Sequence, residues 1–174
     1  MNTPRTENAS TKNKVPPQVS LRDFAQLDLD PIKFKLTNKE DGEGWSFEKT
    51  EKVAIQYRRF LTLIRENPSA TIVPTEDIDR FWHHHILDTA KYAEDCETFF
   101  GYFVHHFPYF GLRGDDDARD LAAGFDKTKN LYEKRFSESL VPTSGAGCGA
   151  VVCEVGTCHA KQPRPEYKRL AAAA

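Results

Sequence analysis

Apolar residues recur at helical spacing through most of this chain, and almost nowhere do they alternate as in a strand. The clearest case follows Ser46, a residue suited to cap a helix start. Phe47, Val53, Ala54, Tyr57, Phe60, Leu61 and Ile64 fall on one side, while Lys49, Glu51, Lys52, Arg58 and Arg59 fall mostly on the other. The pattern predicts a long helix over residues 46–66, stopped by Asn67-Pro68. Residues 70–73 read as a short extended connector. Thr75 then caps a second helix, with Glu76 and Asp77 set against the positive end of its dipole. No strong breaker stands between Ile78 and Gly101, so this helix either runs on or restarts at Asp88-Thr89 as a hairpin. Pro108 requires the segment to end near Phe107. Asp115-Asp116-Asp117 opens a further helix with the stripe Leu121, Ala122, Phe125, Tyr132 and Phe136, ending before Pro142. Upstream, residues 21–36 predict a short helix or two, and residues 38–44 a loop.

These readings add up to an all-α fold, a compact bundle of about four main helices. The helical domain spans residues 21–140. A polar arm over 1–20, expected to be disordered, precedes it, and a flexible Gly/Cys-rich tail over 141–174 follows.

Composition narrows the setting. A length of 174 residues fits one domain plus tails. The net charge of -2 gives no strong nucleic-acid signal and none for an anionic membrane surface. No apolar run approaches the roughly 18 residues of a membrane span. The polar start, with Pro16-Pro17 and no apolar core, argues against an ordinary secretory signal and favours the cytoplasm. In a reducing compartment Cys96 is expected as a buried thiol.

The candidate chemistry lies in Asp79-Arg80-Phe81-Trp82-His83-His84-His85-Ile86-Leu87-Asp88. Three consecutive histidines within an apolar run ligate something, hold a buried polar network, or switch with pH. Successive helical side chains turn by about 100°. Ile78, Phe81, Trp82, His85 and Ile86 therefore share one face, and His84 points away beside Arg80 into solvent. Asp79 and His83 stand one turn apart on its flank, so Asp79 can orient His83 or join it as a metal ligand. His83 and His85 diverge by about 160°, so a regular helix cannot aim both at one ion. A second pair, His105-His106, follows, with Tyr92, Cys96, Phe99, Phe103 and His106 on one face of a continued helix. That helix would separate His85 and His106 by roughly 30 Å. A single site using both needs irregular backbone. The candidate metal set is Asp79, His83 and His85, with Trp82, His106 and Cys96 as supporting groups. Imidazole and carboxylate suit a divalent transition metal, whether zinc, iron, copper or nickel, and the spacing does not choose among them. The competing reading is a hydrogen-bonded structural network, which is the ordinary fate of a lone core histidine such as His106. The zincin pattern, a Gly-rich phosphate loop and a Gly-x-Ser-x-Gly elbow are all absent.

Trp82-His83-x-His85 with Asp79 ahead of it, then Tyr92 and Asp95-Cys96, resembles the glycine-rich domain-containing protein-like family. Gly44-Trp45-Ser46, Tyr57-Arg58-Arg59-Phe60-Leu61 and His105-His106-Phe107-Pro108-Tyr109-Phe110-Gly111 resemble its bacterial branch. The resemblance covers residues 44–140 and implies Asp79, Trp82, His83 and His85 as the core of the site, without His84. Some plant members carry RNA-binding regions, but nothing in this chain matches an RNA-recognition motif.

The tail places Cys148, Cys153 and Cys158 at five-residue steps, with His159 adjoining. This is not the Cys-x-x-Cys knuckle of zinc folds. The tail thiols either wrap a metal, are modified while the domain acts as leader, or stay free. Three functions follow: a small metal-binding helical protein of undecided reaction, a non-enzymatic scaffold, or a leader-like domain carrying a modified cysteine segment. In the second, a protein partner docks on the aromatic segment 107–110 or on the tail.

Overall fold

A computed structural model gives the fold and describes residues 21–140. The expected arm and tail, with Cys148, Cys153, Cys158 and His159, lie outside the described residues. Five α-helices form among the described residues, with no strand: α1 (Asp30–Thr37), α2 (Phe47–Glu66), α3 (Glu76–Leu87), α4 (Thr89–Phe100) and α5 (Asp115–Phe136). A 3-10 turn at Phe24–Gln26 precedes them.

The helix starts follow local hydrogen bonding. Ser46 accepts from the Lys49 amide at α2, and Thr75 accepts from the Ile78 amide at α3. Asp88 ends α3 and caps α4 by accepting from the Lys91 amide, so the hairpin forms in place of one long helix. α4 stops at Gly101, whose φ of 74° is the left-handed conformation that glycine adopts at lowest cost. The chain beyond is irregular until α5. This corrects the continued-helix reading of residues 101–106. Phe103 is partly exposed with its ring edge-on to Tyr92, and His106 leaves the face shared by Tyr92, Cys96 and Phe99.

α2 is the centre of the core. Val53, Ala54, Tyr57, Phe60, Leu61 and Ile64 are buried against α1, α3 and α4, in one cluster that includes Phe24, Leu36, Phe81, Trp82, Tyr92 and Phe99. Each of the larger side chains contributes about 1.5–3 kcal/mol by leaving water. Phe47, counted in the apolar stripe, is exposed, because the first turn of α2 overhangs the core. α5 joins through a smaller cluster of Val73, Phe110 and Phe125. Gly124 allows this approach: a Cβ there would sit 2.9 Å from Val73 Cγ2. Thr128 accepts a 2.8 Å bond from the Val73 amide. Ala122, expected in the stripe of α5, is exposed because Gly124 and Thr128 carry the packing.

Candidate metal centre

α3 presents histidines to two separate surroundings. On one flank, Asp79 and His83 stand one helical turn apart, with His83 Nε2 3.7 Å from Asp79 Oδ2. The irregular segment after Gly101 returns to this flank and delivers His106. Its Nε2 lies 2.9 Å from Asp79 Oδ1 and 3.1 Å from His83 Nε2. One ligand atom from each of the three residues lies within 4.8 Å of the others. Asp79 is buried and the His106 side chain is 8% exposed, whereas the His83 side chain is 47% exposed.

Within the trio, His106 Nε2 faces two acceptors. His106 Nε2 carries at most one hydrogen. With that hydrogen it suits Asp79 and His83 as acceptors but must share one proton between them. Without it, its lone pair opposes the Asp79 carboxylate. A cation shared by all three removes the mismatch. The spacing also fits: with metal–ligand bonds of about 2.0–2.2 Å, neighbouring ligands stand about 3–3.5 Å apart. Burial, ahead of the opposing pull of Asp79, holds the His83 imidazole below its usual 6.5, and neighbouring His106 and His84 push the same way. His83 is thereby kept in the neutral form that metals need.

The return segment is fixed by a relay. Trp82 Nε1 donates to the Tyr92 hydroxyl at 3.0 Å, and that hydroxyl donates to the Val104 carbonyl at 2.6 Å. The Trp82 ring meets the His106 ring edge-on at 4.6 Å. Trp82 is thus the wall of the site, and Tyr92 anchors the segment that carries His106.

His85 lies elsewhere. Both its ring nitrogens are engaged within the protein, Nδ1 with the Tyr57 hydroxyl and Nε2 with Asp95 Oδ2, each at 2.9 Å. Burial raises Tyr57 far above its usual range, so it stays a hydroxyl that donates to Nδ1. Although burial works against it, hydrogen bonds from His85 and Lys91 hold Asp95 below the usual carboxylate value. His85 therefore sits between a donor and a carboxylate, with no lone pair free to join His83. Of the set read from sequence, Asp79 and His83 lie together and His85 lies apart, and His106 stands beside the first two. Cys96 is buried beside this second network, and burial pushes its thiol up. His84 is not solvated as expected: it is largely covered and stands 3.3 Å from Glu43 Oε1, in the loop after α1. His105 stays exposed beside Phe103.

A family model described as UCP032817-like matches residues 29–131, more than half of the chain. The chain belongs to the UCP032817-like family. This match spans every residue of both networks. The UCP032817-like chain is also similar to Glycine-rich domain-containing protein 1 and protein 2 of Arabidopsis thaliana. Each is 31% identical over 90 residues, which is 49% of this chain and 11% of the plant protein. The chain thus spans about a tenth of the length of these curated relatives. They support the glycine-rich domain-like resemblance at family level. No solved structure matches.

Proposed function

We propose that this chain is a small metal-binding helical protein in which Asp79, His83 and His106 hold one divalent transition metal. The observation that carries this reading is the convergence of a carboxylate and two imidazoles within 4.8 Å, from one helix and a separate returning segment. Two imidazoles and one carboxylate are a donor set suited to zinc or ferrous iron, and copper is also compatible. Such a metal, when bound with an open position, would polarise a carbonyl or phosphoryl oxygen or lower the pKa of water. The half-exposed His83 supports access from solvent. A cytoplasmic setting and the family's bacterial branch belong to this proposal, on the thiol at Cys96 and the run from His105 to Gly111. No helix among the described residues is long and apolar enough to cross a membrane.

Cobalt(II) titration of tag-free full chain tests it, read by visible absorbance and by zinc competition. The tail cysteines are changed to serine, so that thiolates do not contribute. One equivalent is expected in that background and in His84→Ala, and none in His106→Ala. Equal uptake with and without His106 would refute the site.

The scaffold reading is favoured by one observation, the closed environment of His85, which leaves no ring nitrogen unused. A melting temperature unmoved by chelator after zinc loading would favour it, whereas a drop on metal removal would count against it. The leader-like reading rests on tail cysteines outside the described residues, and intact mass from the native host decides it: an unmodified tail under all growth conditions ends it.

A further inference from the structure

On α2 and the start of the described chain, away from the histidines, a cavity of about 450 Å³ opens between residues 21–25, α2 and the end of α5. Its volume falls in the usual range for ligand sites. The lining holds Arg22, Arg58, Arg59, Arg65 and Arg135 and no lysine. The other described arginines, Arg80, Arg113 and Arg119, are each paired with carboxylates elsewhere, and within the lining Arg135 is paired with Glu66 and Arg59 with Glu138. In a chain of net charge -2 this is a marked local excess: five cations face the two lining carboxylates, Asp23 and Glu66. Arginine in place of lysine suits planar, two-point recognition of carboxylates.

Three observations bear on which groups the groove can take. Arg59 already grips a carboxylate through both terminal nitrogens: Glu138, just past the end of α5, accepts at 2.7 and 2.9 Å. That glutamate side chain is mostly exposed. Arg58 donates to the Leu27 carbonyl, yet its buried Nε has no partner. Arg22 makes no ion pair among the described residues. The walls also carry apolar surface from Leu21, Ile55 and Phe136.

We propose that this groove binds an acidic peptide segment of a partner protein, with glutamate or aspartate side chains on the arginines and apolar side chains on the walls. Glu138 acts as an internal stand-in that the partner's carboxylate displaces. The peptide choice follows from what is already seated there, a glutamate side chain. The chain's own tail beyond residue 158 is basic, with Lys161, Arg164, Lys168 and Arg169, and does not suit the groove.

Fluorescence anisotropy with the full chain tests this. The probe is a fluorescein-labelled peptide rich in glutamate with interspersed leucine, run beside a lysine-for-glutamate version and a single-stranded oligonucleotide. Expected is salt-sensitive binding of the acidic peptide only. The exposed pair Arg22→Glu and Arg135→Glu should weaken it about tenfold with unchanged circular dichroism. Glu138→Ala should tighten it several-fold. Absent binding, binding indifferent to the two reversals, failure of Glu138→Ala to tighten it, or preference for the oligonucleotide would overturn the proposal. None of these outcomes depends on metal.

Discussion

His83 and His85 stand two positions apart on α3 and face opposite circumstances. His85 is enclosed: Tyr57 donates to one nitrogen, Asp95 accepts from the other, and almost no surface is left. His83 is open: about half its side chain meets solvent, and its nearest polar neighbours compete for one proton. The difference follows from the helix turn of about 100° per residue, which sends the two rings to opposite flanks. An enclosed histidine whose hydrogen bonds are complete adds stability and fixes the fold. An open one is left with ring nitrogen that the protein does not fully engage, which is what the proposed metal site requires. Proximity in sequence therefore says little about shared chemistry, and the pairing of each nitrogen says much.

The comparison breaks most visibly if His85 is removed. His85→Ala leaves the Tyr57 hydroxyl and the Asp95 carboxylate without their buried partner, and should cost about 2–4 kcal/mol in urea unfolding. The folded fraction should still take up metal. Removing an open ligand should do the reverse: His83→Ala or His106→Ala lowers metal affinity by about 100-fold or more, with a smaller stability change, measured by calorimetry with zinc. Tyr92→Phe sharpens the contrast, since it deletes no ligand. Loss of the Trp82–Tyr92–Val104 relay should weaken metal binding by about tenfold while helicity persists.

Acid separates the two flanks by pH. His83 has a folded value below 6.5, so the fold favours its neutral form. Its stabilising contribution is complete above 6.5 and is lost as pH falls through the lower folded value. Asp95 also has a depressed value, below 3.8, so its contribution persists above 3.8 and is lost only as pH falls through that lower value. Thermal melts across pH should show an early step removed by His83→Ala and a later one removed by Asp95→Asn. The smallest effect belongs to His84, whose loss should change stability by no more than about 0.5 kcal/mol, its partner Glu43 being partly solvated.

Much of the helical scaffold was legible in the chain because its signals are local. Ser46, Thr75 and the acidic start of α5 mark helix starts, and Asn67-Pro68 marks a stop. The wheel also separated His83 from His85 correctly. What stayed hidden was the return of His106. Without a proline before residue 108, residues 101–106 read as continued helix, and on that path His106 recedes from Asp79. Gly101 was the available signal, a glycine at the end of an apolar helical stripe that takes the left-handed cap. Even so, the destination of the segment is set by Trp82, Tyr92 and Val104, contacts between residues far apart in sequence that no local period encodes. The Glu43–His84 pair and the arginine groove escaped for the same reason, each being assembled from separate elements.

The most direct test is elemental analysis of tag-free chain, with the tail cysteines changed to serine, after saturation with zinc and gel filtration. Wild-type and His85→Asn side chains at that position should each retain about one metal per chain, and His106→Ala should retain none. Equal metal in all three, or loss only with His85→Asn, would contradict the assignment of the ion to Asp79, His83 and His106.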